Sequence, residues 1–342
     1  MFFCSFLEFF QFFIHFIKFK IYLINRLLFF WLLNRDMFDQ SLLFPIGILL
    51  LAIGGDRLVL GSVALSNKLG VPAFITGIFI IGFGTSLPEL FVTISALNKN
   101  EADIAVGSII GSNIINILLI LGLSLVLTNK KSLDSISSKD IFVMIFCAFL
   151  FSYFLHIGLI SNIWSIIMII LLPVYLFVSY KFFNRNNKIN DDNSEKGSIV
   201  LNLIIGFFAI IYGSEIFIEG LIYISEVLDI PEAIIGISLA AIGTSLPELA
   251  VTIASFFRGK GSVAIGNVVG SNIFNILGVL GLSALINGQI IFSKSFSGID
   301  TIILILSSVW VYILLRNGST NPRFYGSISL IGYLSYMIFL YS

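Results

Sequence analysis

The chain contains one long internal repeat, whose two copies are separated by 159 residues. GTSLPEL at residues 84–90 recurs at 243–249, and GSIIGSNIINILLILGLS at 107–124 recurs as GNVVGSNIFNILGVLGLS at 266–283. Without a gap, 23 of 43 positions are identical between 82–124 and 241–283. A fixed offset over this length indicates two copies of one structural unit, so the fold must give both copies equivalent surroundings.

The composition places these units in a membrane. Of the 342 residues, 58% are hydrophobic and only 11% are charged, with a mean hydropathy of +1.04, whereas soluble chains carry about 25% charged residues. One crossing needs about 20 apolar residues, so the sequence predicts an all-α membrane protein with ten transmembrane helices. The predicted runs are 42–66, 71–98, 103–127, 140–158, 161–181, 198–225, 231–257, 262–286, 299–315 and 324–341.

The predicted loops differ in charge between the two sides of the membrane. One side carries Lys68, Lys130, Lys131, Lys139, Lys181, Arg185, Lys188, Lys196, Arg258, Lys260, Arg316 and Arg323, and the other carries only Lys99 and Lys294. Basic residues in short loops stay cytoplasmic. We therefore expect a plasma (inner) membrane protein with a cytoplasmic linker and an extracytoplasmic C-terminus. The 19 basic and 19 acidic residues balance, which argues against nucleic acid as a partner.

The repeat divides the chain into four segments. Residues 37–181 and 198–342 form two five-helix repeats, and residues 182–197 form the linker between them. Residues 1–36 are an atypical Phe-rich extension, and Met37 is the expected true start of translation, with an extra helix as the alternative. Five crossings separate equivalent residues, so equivalent helices run in opposite directions. This is the inverted-repeat plan of secondary transporters, which bind substrate at the midplane.

Each repeat carries a proline followed by a glutamate within an apolar run. Pro88 and Pro247 lack the N–H that a helix needs, so they predict broken core helices. Glu89 and Glu248 come next, near the middle of their spans. A carboxylate inside the membrane is costly and by default marks an ion path. The alternative is a structural role, in which the glycines and serines permit close helix packing and each glutamate is satisfied by hydrogen bonds.

Helical spacing surrounds each glutamate with further oxygen atoms. Residues three or four positions apart share a helix face, and the following helix repeats polar residues at intervals of four. The first repeat offers Thr85, Ser86, Ser108, Ser112 and Asn116, and the second offers Thr244, Ser245, Asn267, Ser271 and Asn275. Carboxylate, hydroxyl and amide oxygens suit Ca²⁺ or Na⁺. The set contains no Cys, Met or His, which argues against softer metals.

Two carboxylates also suggest how such a site would work. Two ionised glutamates neutralise one Ca²⁺ or two Na⁺, whereas an empty site leaves like charges in a medium of low dielectric constant. Reorienting the empty site is therefore unfavourable, and reorienting the filled site costs far less. This asymmetry is the physical basis of obligatory exchange.

At these motifs the sequence resembles the calcium/cation antiporter superfamily, and within it the prokaryotic sodium/calcium exchangers. The resemblance rests on GTSLPEL with GSNIINI in the first half and GTSLPEL with GSNIFNI in the second, and it covers residues 38–342. It implies two inverted five-helix halves that exchange Ca²⁺ for Na⁺ without a cofactor. The implied ligands are Glu89, Thr85, Ser86, Ser112, Asn116, Glu248, Thr244, Ser245, Ser271 and Asn275, with the carbonyl groups of Gly82 and Ala241.

Two departures from the superfamily bear on the coupling ion. Some relatives have Asp where this chain has Asn275, and the acidic form accompanies potassium co-transport, so Asn disfavours potassium dependence. Proton-coupled relatives carry GNxxE where this chain reads GTSLPE, which favours sodium.

The sequence therefore predicts a monomeric Na⁺/Ca²⁺ antiporter, with exchange of H⁺ for Ca²⁺ or another divalent cation at the same site as the alternative. A passive channel is disfavoured because channels place selectivity rings around an oligomeric axis. An enzyme is not expected, since no nucleophile–base set accompanies the glutamates.

Overall fold

The computed structural model describes residues 42–70, 73–127, 138–181, 198–227, 242–293, 296, 298–317 and 321–341. Almost all of them are helical, which confirms the prediction of an all-α protein. The predicted extension 1–36 and linker 182–197 lie outside the described residues.

Eight helices belong to the described part of the first repeat. They are α1 Leu43–Leu69, α2 Ala73–Thr76, α3 Phe83–Thr85, α4 Leu87–Asn98, α5 Ala102–Ile114, α6 Gly122–Leu127, α7 Ser138–Ile157 and α8 Asn162–Lys181. The wider π-helical turns Gly77–Gly82 and Ile115–Leu121 join α2 to α3 and α5 to α6. Helices α2 and α3, and likewise α5 and α6, are therefore parts of longer continuous helices whose pitch changes locally.

The second repeat follows the same plan in its described part. Its helices are α9 Ile199–Val227, α10 Leu246–Phe257, α11 Gly261–Ile273, α12 Gly281–Asn287, α13 Ile299–Asn317 and α14 Pro322–Tyr341. The π-helical turn Phe274–Leu280 joins α11 to α12 at the position equivalent to Ile115–Leu121. The predicted run 231–257 is described only from residue 242 onwards.

The lengths and surfaces of these helices fit a lipid environment. Among the described residues, seven helices are long and apolar enough to cross a membrane, and two shorter apolar helices accompany them. Large side chains such as Ile163, Ile338 and Phe177 are 60% exposed or more. Such an apolar surface is unfavourable in water, and hydrocarbon solvates it. The chain is a multi-pass membrane protein.

A short antiparallel strand pair joins the two repeats outside the helices. Strand β1, Leu159–Ile160, pairs with β2, Ile290–Ile291, so that Leu159 lies opposite Ile291. The strands satisfy backbone groups at the turns that follow α7 and α12. These strands were not predicted from the sequence, because a strand of two residues is too short to show an alternating pattern of apolar and polar residues.

Helices α1 and α9 contact each other closely, with backbone against backbone, from Gly47 to Gly61 of α1. Glycines recur every seventh residue on both helices, at Gly47, Gly54 and Gly61 and at Gly206, Gly213 and Gly220. A Cβ atom at Gly47 would lie 2.5 Å from the Phe217 nitrogen, and one at Gly61 would lie 3.0 Å from the Leu203 nitrogen. Position along α1 therefore rises as position along α9 falls, so the two helices are antiparallel.

An ion pair fastens this helix pair to the rest of the protein. The Arg258 guanidinium, just beyond α10, donates to the Asp56 carboxylate on α1. Both side chains are partly exposed, and pairs of this kind contribute at most about 1 kcal/mol. Close packing, rather than this ion pair, is therefore the main interaction that holds α1 against the rest of the protein. Gly55 shows this contact, because a Cβ atom there would lie 2.6 Å from the Ala250 carbonyl oxygen.

We expect Gly206→Ala to lower the melting temperature of the purified protein. A Cβ atom at Gly206 would lie 2.6 Å from the Leu58 backbone nitrogen, so the helices must separate. Such overpacking costs about 1–3 kcal/mol, which exceeds the gain of about 1 kcal/mol from replacing a helical glycine.

Gly332→Ala is the matched control for this measurement. Its Cβ atom would approach only the tip of Leu118, at 4.0 Å. We expect it to leave the melting temperature unchanged or slightly raised. Equal effects of the two substitutions would contradict the close contact between α1 and α9.

Candidate cation site

The helices that carry the glutamates are broken at the residue before the Leu-Pro pair. Ser86 (φ −81°, ψ 3°) separates α3 from α4, and Ser245 (φ −90°, ψ 3°) precedes α10. Each proline therefore lies in the first turn of a new helix, where no partner is needed for the missing N–H. The break predicted from Pro88 and Pro247 falls two residues ahead of each proline.

Each break places a glutamate at the start of a helix in the protein interior. Glu89 lies in the first turn of α4 and Glu248 in the first turn of α10, and both are 0% exposed. All four of their carboxylate oxygens are buried without a hydrogen bond of ordinary geometry within the described part of the chain. The positive ends of the two helix dipoles offset part of the negative charge.

The two carboxylates lie close enough to interact electrostatically, and hydroxyl groups of the opposite repeat approach each of them. Thr244 and Ser245 approach Glu89. Thr85 of the first repeat and Ser271 of the second repeat approach Glu248. Each carboxylate therefore lies near at least one hydroxyl group of the other repeat. A buried pair of like charges without partners is a strong candidate for binding cations.

Thr85 connects the broken helix of the first repeat to α11. Its hydroxyl lies 3.3 Å from the Asn267 Oδ1 atom, 3.2 Å from the Ser271 Oγ atom and 3.4 Å from the Gly82 carbonyl oxygen. Ser271 also donates to the Gly82 carbonyl oxygen over 3.4 Å. The predicted ligands Thr85, Ser271 and Gly82 are therefore in direct contact.

Small residues permit this approach. A Cβ atom at Gly77 would lie 2.8 Å from the Val263 carbonyl oxygen, and one at Gly266 would lie 2.5 Å from the Phe74 carbonyl oxygen. A Cβ atom at Gly82 itself would lie 3.0 Å from the Ser271 nitrogen. The close packing brings backbone carbonyl groups of one repeat within reach of hydroxyl groups of the other.

The two amide side chains lie at equivalent places in the π-helical turns. Asn116 is the second residue of the turn Ile115–Leu121, and Asn275 is the second residue of Phe274–Leu280. The Asn275 Nδ2 atom donates to the Ser112 Oγ atom over 3.0 Å. π-Helical turns are frequent at functional sites. The predicted residues Ser112, Asn116 and Asn275 are buried with 0% exposure.

The predicted ligand Ala241 lies outside the described residues. Ser108 is only partly buried and donates to the Ala105 carbonyl oxygen of its own helix over 2.8 Å. Its equivalent Asn267 instead donates to the Glu248 carbonyl oxygen and to Thr252, and it accepts from Thr85. The two halves of the site are therefore not identical.

Three residues of this network were not predicted from the sequence. Asn113 and Asn272 are buried between the repeats, and Thr252 holds the amide of Asn267. Both asparagines belong to the repeated GSN motif, but regular helical spacing places them away from the predicted ligand face. Their recurrence 159 residues apart is the sequence feature that could have identified them.

The acids of this cluster that the structure describes are Glu89 and Glu248. Within the described ranges, no group of three or more His, Cys, Asp or Glu side chains could hold a metal. Neutral hydroxyl, amide and carbonyl oxygens supply the remaining polarity. These oxygen ligands are of the kind that hard cations such as Ca²⁺ bind.

Comparison with known proteins gives the family. The family model described as sodium/calcium exchanger protein matches residues 40–181 and again 198–342. The chain belongs to this family. It is 30% identical to the Escherichia coli inner membrane protein YrbG over 317 residues, covering 89% of this chain and 98% of YrbG. It is 31% identical to the sodium/calcium exchanger MaX1 of Methanosarcina acetivorans over 343 residues, covering 88% and 98% of the two chains.

A solved structure is similar over nearly the same length. The sodium-calcium exchanger NCX_Mj, soaked with 2.5 mM Na⁺ and 0.1 mM Ca²⁺, superposes with a TM-score of 0.73 at 30% identity. The match covers 88% of this chain and 99% of that chain. Membership of the superfamily and an all-α membrane fold, both expected from the sequence, are confirmed.

We expect Glu248→Gln to abolish stabilisation of the purified protein by Ca²⁺. A ligand at 100 times its dissociation constant stabilises the folded state by about 2.7 kcal/mol, and this substitution removes one of the two carboxylates. Thermal unfolding with excess Ca²⁺ and with a chelator measures the difference. Without Ca²⁺ the variant should melt no lower than the unsubstituted protein, because one of two facing charges is gone.

Glu101→Gln is the control for this experiment. Glu101 is an exposed carboxylate in the turn before α5. This variant should keep the full Ca²⁺-dependent rise in melting temperature. A full rise in Glu248→Gln would show that Glu248 does not take part in binding.

Proposed function

We propose that this protein is a secondary active antiporter that exchanges Ca²⁺ for Na⁺ across the membrane. The exchange occurs by alternating access at a midplane site built around Glu89 and Glu248. Thr85, Ser86, Ser112 and Asn116, with Thr244, Ser245, Ser271 and Asn275, supply further oxygens, and the carbonyl groups of Gly82 and Ala241 complete the set. The protein works as a monomer without a cofactor, since one chain supplies both halves of the site.

The architecture that we propose is ten crossings in two inverted halves, residues 37–181 and 198–342. The antiparallel contact of α1 and α9 supports it, because Gly47 and Gly206 are equivalent in the repeat and their helices run in opposite directions. The double match of the family model supports it as well. An odd number of crossings between copies produces this inversion.

The observation that carries the function is the buried pair of carboxylates, one from each repeat. Their oxygens have no ordinary hydrogen-bond partners in the described residues. Leaving two such charges empty is costly, whereas one Ca²⁺ or two Na⁺ would neutralise them. The protein therefore changes between its inward-open and outward-open states much more easily when the site is filled than when it is empty. Ca²⁺ and Na⁺ compete for the same oxygens, so each leaves when the other binds.

Sodium is the favoured coupling ion. The relatives MaX1 and NCX_Mj are named as sodium/calcium exchangers. The amide at Asn275 also leaves the site with two acids, which matches the charge of two Na⁺ or one Ca²⁺. Exchange of H⁺ for Ca²⁺ or another divalent cation at the same glutamates is the alternative, because a buried carboxylate also binds protons.

Transport in proteoliposomes tests the function. We expect Ca²⁺ uptake when the vesicles contain Na⁺ and the outside does not, and no uptake when both sides contain equal Na⁺. Uptake driven equally well by a pH gradient in the absence of Na⁺ would replace sodium with protons. Uptake without any counter-ion would indicate a channel.

Glu89→Gln should reduce this uptake by at least 100-fold, because an amide cannot neutralise the cation. Glu101→Gln, whose side chain lies outside the site, should transport at the normal rate. Size-exclusion profiles and melting temperatures show whether both variants are folded. Normal uptake by folded Glu89→Gln would remove this carboxylate from the mechanism.

The orientation of the chain is tested by cysteine labelling in intact cells. In a background with Cys4→Ser and Cys147→Ser, we expect Asn190→Cys in the linker to be protected from an impermeant maleimide. Ser342→Cys at the C-terminus should be labelled. The reverse pattern would invert the proposed topology. Equal labelling of positions 190 and 342 would contradict the odd number of crossings between them.

A further inference from the structure

Two buried asparagines connect the amide ligands of the two repeats. Asn113 and Asn272 occupy the same place in the GSN motif, 159 residues apart, and are 1% and 2% exposed. Each is adjacent to a serine of the proposed site. Neither is needed to cap a helix, because both lie within continuous helical turns.

Each of these asparagines accepts a hydrogen bond from an amide of the opposite repeat. The Asn275 Nδ2 atom donates to the Asn113 Oδ1 atom over 3.0 Å. The Asn116 Nδ2 atom donates to the Asn272 Oδ1 atom over 3.1 Å. The arrangement is reciprocal, since the first repeat orients an amide of the second and the second orients an amide of the first.

One further bond holds the Asn272 side chain in place. The Asn272 Nδ2 atom donates to the Asn113 backbone carbonyl oxygen over 3.2 Å. This bond fixes which end of the Asn272 side chain faces Asn116. On the other side, Ser112 accepts the second hydrogen of the Asn275 amide over 3.0 Å.

The direction of an amide decides whether it can bind a cation. Its oxygen is a ligand for Na⁺ or Ca²⁺, whereas its nitrogen carries two hydrogens and repels the ion. Because the nitrogens of Asn116 and Asn275 are occupied, their oxygens point elsewhere. Both Oδ1 atoms are buried and accept no hydrogen bond from the described residues.

We propose that Asn113 and Asn272 are positioning residues that set the amide orientation of Asn275 and Asn116, so that both carbonyl oxygens face the cation. This inference rests on the proposed function, because it assigns a role within the same site. The effect crosses from one repeat to the other in both directions. Neither positioning residue contacts the ion.

Asn113→Leu tests the proposal, because leucine has a similar volume and no acceptor. The Asn275 amide then keeps only its bond to Ser112 and can turn its nitrogen toward the ion. We expect the dissociation constant for Ca²⁺ to rise at least tenfold, measured by equilibrium binding of radioactive Ca²⁺ to the purified protein. Asn287→Leu is the matched control, since that amide bonds only to the Ser283 carbonyl oxygen of its own helix in the described structure.

A second background separates positioning from simple packing. In Asn275→Asp the two oxygens are equivalent, so an oxygen faces the ion however the side chain is turned. We expect Asn113→Leu to change the Ca²⁺ dissociation constant by less than threefold in this background. Packing damage would weaken binding equally in both backgrounds, so the coupling between the two substitutions is diagnostic.

The equivalent cycle of Asn272→Leu with Asn116→Asp gives an independent answer if one variant does not fold. Unchanged Ca²⁺ binding in Asn113→Leu, or an equal loss in both backgrounds, would overturn the proposal. These measurements use no ion gradient. Failure of sodium-driven uptake in proteoliposomes would therefore reject the proposed exchange while leaving the positioning role intact.

Discussion

The repulsion between two buried carboxylates is the constraint on which the structure depends. Glu89 and Glu248 are fully buried, and none of their oxygens has an ordinary hydrogen bond in the described residues. The fold tolerates them because two helices begin at this point and direct their positive ends at the site. Two helix breaks, two prolines and a set of inward-facing oxygens all serve to hold this pair.

Close backbone contact makes such a site possible between two copies of one unit. Glycines bring α1 against α9, and others bring Gly77–Gly82 against α11, so hydroxyl and carbonyl groups of different repeats meet directly. In lipid the hydrophobic effect does not drive helices together, and close packing and hydrogen bonds replace it. The same contacts therefore stabilise the protein and assemble the site.

The departures from symmetry are as informative as the repeat. Asn267 bonds to Thr85, whereas its equivalent Ser108 bonds within its own helix. The difference follows from the side chains that the two copies carry. The short serine hydroxyl bonds to a carbonyl group one turn back in its own helix, whereas the longer asparagine amide meets Thr85 of the other repeat.

The sequence alone determined the membrane environment and the repeat, and it indicated the described helices and most of the buried polar residues near the two glutamates. These follow from composition, spacing and the physics of a carboxylate in hydrocarbon, which are local or periodic properties. Only the tertiary structure decided which residues meet across the repeats. Asn113 and Asn272 were missed because their partners Asn275 and Asn116 lie in the other repeat, and the strand pair Leu159–Ile160 with Ile290–Ile291 joins segments far apart in the chain. Contacts between distant segments depend on packing, and packing leaves no periodic trace in a single sequence.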